Sequence, residues 1–192
     1  TAKGKKVFIE FEGVRQGADF YLNGKHIGLH ENGVMAVGFD LTPYLNFTGE
    51  NVIAVRTDND WKYKERATGS RYQWNDNNFN VNYGGIPKNV WLHITDKLYQ
   101  TLPLYSNLRT TGVYIYATDI CTKSRKAFVN AESEVRNEYD KSCNVSYEVC
   151  VYDYDGNWVS TFKSAPVIVK SKEQVKLKAA KELANLNFWS WG

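Results

Sequence analysis

The sequence is poor in the residues that metal, redox and membrane proteins rely on. Its 192 residues hold one methionine, three histidines, three cysteines and four prolines, and no run approaches the ~20 consecutive apolar residues that a bilayer demands. Cys121, Cys143 and Cys150 lack C-x-x-C spacing, which argues against a zinc site. One disulfide is an alternative, but three cysteines cannot all pair internally, so they are read as buried thiols. His26 and His30 are four apart on a hairpin arm, where that spacing does not direct both rings at one ion. No metal and no cofactor are expected. The Gly-x-Ser-x-Gly elbow, the phosphate loop and Gly-x-Gly-x-x-Gly are all missing, which removes support for acyl-transfer and nucleotide chemistry. Charge of one sign is scarce too. The formal net charge is +3, with 11 Lys/Arg against 11 Asp/Glu in residues 1–96 and 13 against 10 in residues 97–192. Cations spread among acids make no phosphate-neutralising stripe, so neither a nucleic-acid nor a membrane partner is expected.

Aromatic residues are plentiful: 6 Trp, 13 Tyr and 9 Phe, in a chain that is 43% hydrophobic and 23% charged. The mean hydropathy of −0.50 suits a chain with a packed core and a polar surface. Trp and Tyr outnumber Phe, and both suit half-buried sheets as well as sugar-binding surfaces. Thr1-Ala2-Lys3-Gly4 has no apolar leader and no initiator Met. Either a signal has been removed, with a periplasmic or secreted bacterial location, or the chain begins inside a larger protein.

Strand signals dominate. Lys6–Glu12 and Ala18–Leu22 are β-rich, and Asn23-Gly24 is the dipeptide that a type I′ hairpin turn favours before Lys25–Gly28 returns. Phe39–Leu45, Asn51–Thr57 and Val90–Ile94 complete a first block. Lys97–Asn107 reads as a connector around Pro103. Strands then resume at Val113–Tyr116, Ala127–Arg136, Val145–Tyr152, Trp158–Phe162 and Val167–Val169, with a turn at Asp155-Gly156. Val175–Asn185 has mixed periodicity and is read as a strand followed by irregular chain. No βαβ alternation occurs, so doubly wound and (β/α)₈ folds are excluded from this segment. Asn137-Glu138 is read as the end of a strand running into a solvated turn, not as a catalytic acid.

The stretch from Asp58 to Lys88 is too long and polar to be a core connection, and loops of that length in compact domains tend to carry function. Residues 75–82 hold five Asn and one Asp, beside Arg71, Trp74, Phe79 and Tyr83. Amides and a carboxylate match vicinal hydroxyls, and flat rings stack on pyranose faces. Asp76, Asn75, Asn78, Asn80, Trp74 and Arg71 are therefore the candidate carbohydrate-binding residues. The competing reading is an irregular loop whose amides satisfy its own backbone around Trp74 and Tyr83.

Five segments in register carry a family resemblance: Phe11–Val14, Ala18–Gly28, Phe39–Leu45, Gly49–Arg56 and Asn82–Leu92. Together they resemble the sugar-binding domain of glycoside hydrolase family 2, the β-galactosidase, β-glucuronidase and β-mannosidase group, and the Asn-rich loop is most similar to β-galactosidases of Bacteroides-type bacteria. Asn187–Trp191 resembles the family's Leu-Trp-Ser-Pro segment, with Trp191 in place of proline. Pro87-Lys88-Asn89 departs from the family's aromatic or His, Arg and Asp. The resemblance implies an all-β chain: a jelly-roll, galactose-binding-like β-sandwich over residues 1–97 without its first strands, then an immunoglobulin-like β-sandwich over residues 98–192 without its last. It implies no catalytic residue here, because the two family glutamates lie in a (β/α)₈ barrel that needs roughly 250 further residues. It also implies a homo-oligomeric parent whose barrel these domains buttress, with a β-galactoside bound in the parent's site and Asp76 matching an acidic loop residue. A free-standing carbohydrate-binding module or adhesin is the alternative, as is a β-glucuronidase or β-mannosidase parent.

Overall fold

The computed structural model of the protein describes residues 2–32, 35–71 and 84–188. These are all-β apart from a single 3₁₀ turn at Thr42–Tyr44. Two compact units divide the chain, Thr1–Asp96 with Ser106–Arg109, and Lys97–Tyr105 with Thr110–Gly192.

The first unit contains β1 (Lys6–Phe11), β2 (Gly17–Leu22), β3 (Lys25–Glu31), β4 (Val37–Asp40), β5 (Ile53–Asp58) and β6 (Val90–Thr95). They form two antiparallel sheets, β4-β1-β6 and β3-β2-β5. Alternation decides which side chains meet. Val7, Ile9 and Phe11 of β1 pack against Ala18, Phe20 and Leu22 of β2, with Val37 and Phe39 of β4 completing the buried cluster. The Asn23-Gly24 turn takes φ values of 52° and 77°, the left-handed pair expected of a type I′ hairpin. Ile94 and Leu92 sit opposite Val7 and Ile9, and Ile53 opposite Leu22, so all three share the inward face. Yet they are exposed, and they border an apolar cavity of about 560 Å³ between β5 and β6.

The second unit contains β7 (Leu98–Gln100), β8 (Val113–Cys121), β9 (Lys126–Asn137), β10 (Cys143–Val145), β11 (Glu148–Tyr152), β12 (Trp158–Lys163), β13 (Val167–Val169) and β14 (Gln174–Leu183). β9 is its spine: β14 pairs along one side, while β7 and β8 share the other as two pieces of one broken edge. The β10-β13 pair and the β11-β12 hairpin that it encloses in sequence form separate ladders, and Val149 and Phe162 pack on Ala131 and Ala179. Val175 lies in a ten-residue strand, as its alternation predicts.

Three sequence readings need correction. Leu98–Gln100 is a strand, not part of a connector, because β9 supplies its hydrogen bonds. Val145–Tyr152 is not one strand but breaks at Ser146-Tyr147, where the Ser164 hydroxyl oxygen accepts from the Tyr147 N–H. The cysteines are free thiols but not buried: Cys121 and Cys150 are exposed and Cys143 is half-buried, because they fall on outer strands. Asn137 ends β9 as expected, and its fully buried amide donates to the carbonyls of Lys141, Val169 and Lys170.

The break between β7 and β8 turns on one buried carboxylate. Glu134 accepts from the Thr101 hydroxyl at 2.8 Å and the Thr111 N–H at 2.9 Å, while its backbone pairs with Thr101 and Gly112. Burial pushes its carboxyl up, but these hydrogen bonds outweigh that and hold it below the usual glutamate value. Glu134→Gln is expected to cost about 1–2 kcal/mol at neutral pH in a denaturant titration, because an amide replaces one anionic acceptor oxygen with a donor. A variant as stable as the wild type would remove Glu134 as the fastener of this break.

Candidate functional site

All the sugar-contact candidates but Arg71 fall within residues 72–83, and the two feet of that stretch, the described chain on either side, are held by defined contacts. After β5, Asp58 and Asp60 turn the chain by accepting from the backbone N–H groups of Asp60 and Lys62 at 3.1 and 2.7 Å. A small hairpin follows. Lys64 bridges to Arg71, the Glu65 N–H donates to the Ser70 carbonyl, and Gly69 takes φ +65° at its tip. This hairpin is fastened to the outer face of sheet β3-β2-β5 by two carboxylates. Asp19 on β2 faces outward because its neighbours Ala18 and Phe20 face the core, and it is 5% exposed. It receives the Arg66 guanidinium on both oxygens, at 3.0 and 2.5 Å, and lies 3.0 Å from His26 Nε2. The Arg66 hydrogen bonds hold its carboxyl below the usual aspartate value against the opposing effect of burial, with His26 assisting. Glu31 on β3 accepts from the Tyr63 hydroxyl at 2.6 Å and the Arg66 N–H at 2.8 Å. Burial and this neighbouring carboxylate push the Tyr63 phenol well above its ordinary range, so it stays a donor. Tyr63 can lie this close only because residue 17 is glycine, whose added Cβ would come within 2.3 Å of the ring.

The other foot is held as firmly. Arg15 and Gly85 exchange both backbone hydrogen bonds, 3.0 and 3.1 Å, and Gly85 takes φ +90°. The aliphatic stem of Lys88, in the departing Pro87-Lys88-Asn89 motif, lies beside Gly13.

Asp76, Asn75, Asn78, Asn80 and Trp74 lie outside the described residues. Arg71 is described, and it closes the hairpin by donating from Nη2 to the Trp61 carbonyl at 2.7 Å. Sequence reasoning passed over Asp19, Glu31, Tyr63 and Arg66, which form the platform that fastens the hairpin preceding residue 72. The legible signal was Asp19 at an outward position in the middle of an apolar strand. His26 and His93 each hydrogen-bond a carboxylate, Asp19 and Glu10, and His30 is buried.

The platform joins β2 and β3 to the segment between β5 and β6, all within the first unit, and that unit is matched almost throughout by a known family. The family profile described as glycosyl hydrolase 2 galactose-binding domain-like matches residues 1–92. The chain belongs to glycoside hydrolase family 2. This family 2 chain is 41% identical over 187 residues to a β-glucuronidase of Formosa agariphila, covering 97% of this chain and 19% of that protein. It is 29% identical over 172 residues to a β-galactosidase of Bacteroides ovatus, covering 90% and 18%. A solved structure of a family 2 β-glucuronidase matches with a TM-score of 0.86 at 39% identity, over 98% of this chain and 19% of that one. The family 2 chain thus spans about a fifth of the length of these relatives.

Proposed function

We propose that this chain is the non-catalytic N-terminal part of a retaining family 2 glycoside hydrolase whose substrate is a β-glucuronide. The 41% identity to a β-glucuronidase over 97% of the chain carries this reading, against 29% to a β-galactosidase, and it shifts the motif-based expectation of a β-galactosidase parent. In this reading the two units buttress the barrel, and the 72–83 loop is lent to its sugar site. The Asp19–Arg66 and Glu31–Tyr63 contacts support it, because they fix the hairpin from which that loop departs. Preorganised feet lower the entropy lost when a loop engages a ligand.

The test uses the full-length protein. It is expected to release nitrophenol from nitrophenyl β-glucuronide with kcat/KM at least about tenfold above that for the β-galactoside, a difference of ~1.4 kcal/mol in transition-state binding. The reverse ratio would restore the β-galactosidase parent. In the same protein, Asp76→Ala and Asn80→Ala should each lower kcat/KM by about fivefold or more, since a hydrogen bond to a reacting sugar contributes ~1 kcal/mol or above. Values within about twofold of wild type would make the loop scaffold.

A further inference from the structure

The outer face of the second unit carries an arrangement that the family 2 reading leaves unused. Across β8, β9 and β14, register places Tyr114, Glu132 and Lys178 in one row and Tyr116, Asn130 and Ala180 in the next. The two tyrosine rings lie 5.1 Å apart at 31°, and Tyr114 is 63% exposed. They make a flat aromatic wall on one edge of the face. On the opposite edge, Lys178 and Lys176 approach the Glu132 carboxylate at 2.7 and 3.6 Å. Glu132 is thereby a fixed acceptor between a ring and two cations, and the Asn130 amide donates to the Thr118 hydroxyl beside it at 3.0 Å. Next to Tyr114 opens a cavity of about 290 Å³, which Pro103, Tyr105, Thr111, Glu132 and Lys176 help to line.

Tyr114 and Tyr116 lie on the face of β8 turned away from the buried cluster of Ala131, Val149, Phe162 and Ala179, so core packing does not account for them. We infer that this face is a surface saccharide-binding site for uronate-bearing chains, distinct from any site formed with the 72–83 loop. Tyr114 and Tyr116 stack on the apolar face of a pyranose ring. Glu132 accepts from ring hydroxyls. Lys176, the more loosely paired of the two lysines, meets the sugar carboxylate, so the charge of the ligand complements that edge. The preference for a uronate rests on the β-glucuronide reading of the parent. The stacking wall does not.

Binding of the full-length protein to immobilised glucuronoxylan, followed as depletion isotherms, tests the site. Wild type should bind saturably, and Tyr114→Ala should weaken binding about tenfold, the scale of a lost aromatic contact. Tyr114→Phe, which keeps the ring, should restore it. Lys176→Gln on β14 gives an independent reading. It should weaken binding to glucuronoxylan but not to the carboxyl-reduced polymer, which should bind wild type more weakly. Equal affinities for wild type and Tyr114→Ala overturn the site, and equal affinities of wild type for the two polymers overturn the uronate assignment. A protein that hydrolyses nitrophenyl β-glucuronide yet ignores glucuronoxylan overturns this site alone. One that binds the polymer through Tyr114 but hydrolyses no glucuronide overturns the parent reading alone.

Discussion

Phe20→Ala is expected to destabilise the first unit by about 3–5 kcal/mol, the range for emptying a large aromatic from a packed core. Phe20 is fully buried at the middle of β2, and its ring meets Phe11 at 5.0 Å and Phe39 at 4.7 Å between centroids, so it joins both sheets. The site cannot easily collapse around the void. Opposite Phe20 in register stands Gly28, whose missing Cβ is what lets the Phe39 ring come close, at 2.2 Å from where that atom would be. Phe39 is therefore already seated against bare backbone and has little room to shift into the space Phe20 leaves. For a unit of this size the loss corresponds to a melting temperature lower by more than about 12 °C. Phe20→Leu, which conserves most of the volume, should cost about 1–2 kcal/mol. A Phe20→Ala protein melting within a few degrees of wild type would mean that β1 and β2 do not pack through this ring.

Local physics carried the parts of the fold that the sequence reveals. Alternation in Val7, Ile9 and Phe11 puts one face inward whatever the neighbours are, and Asn23-Gly24 sets its turn through positive φ at two adjacent residues. The family was legible for the same reason, since its motifs are strands and their turns. What the sequence hid depends on distant partners. Leu98–Gln100 becomes a strand only because β9, some 35 residues onward, offers an edge. The platform joins Arg66 to Asp19 and Tyr63 to Glu31 across 47 and 32 residues, with no period to announce either pair. Trp91, Tyr114, Tyr152 and Trp158 sit on strands as regular as any in the sandwiches, yet at least 49% of the surface of each is exposed. A period of two says that a residue alternates, and does not say which face is covered.

Asp19→Asn tests the platform directly, and its signature lies in acid. The substitution keeps the side-chain shape but removes the charge that receives both Arg66 nitrogens, so it should cost about 2 kcal/mol at neutral pH, the scale of a charge-assisted hydrogen bond to a buried acceptor. The carboxyl of the folded protein titrates below its ordinary value of 3.8. Its stabilisation is therefore fully present above the unfolded value and is lost as pH falls through the folded one. Wild type should lose this increment from about pH 4 downward, whereas the asparagine variant should lack that part of the acid limb, and the two stabilities should converge once the folded carboxyl is protonated. Arg66→Gln added to Asp19→Asn should cost little more, because the pair is already broken. The hairpin should also open. Lys62, Lys64, Arg66 and Arg71 are trypsin sites, and cleavage there should be faster in the variant at neutral pH, as expected for a segment whose local unfolding has become easier. Parallel acid limbs with unchanged cleavage would show that Asp19 does not hold the hairpin down, and the 72–83 loop would then need another anchor before it could be presented to a sugar.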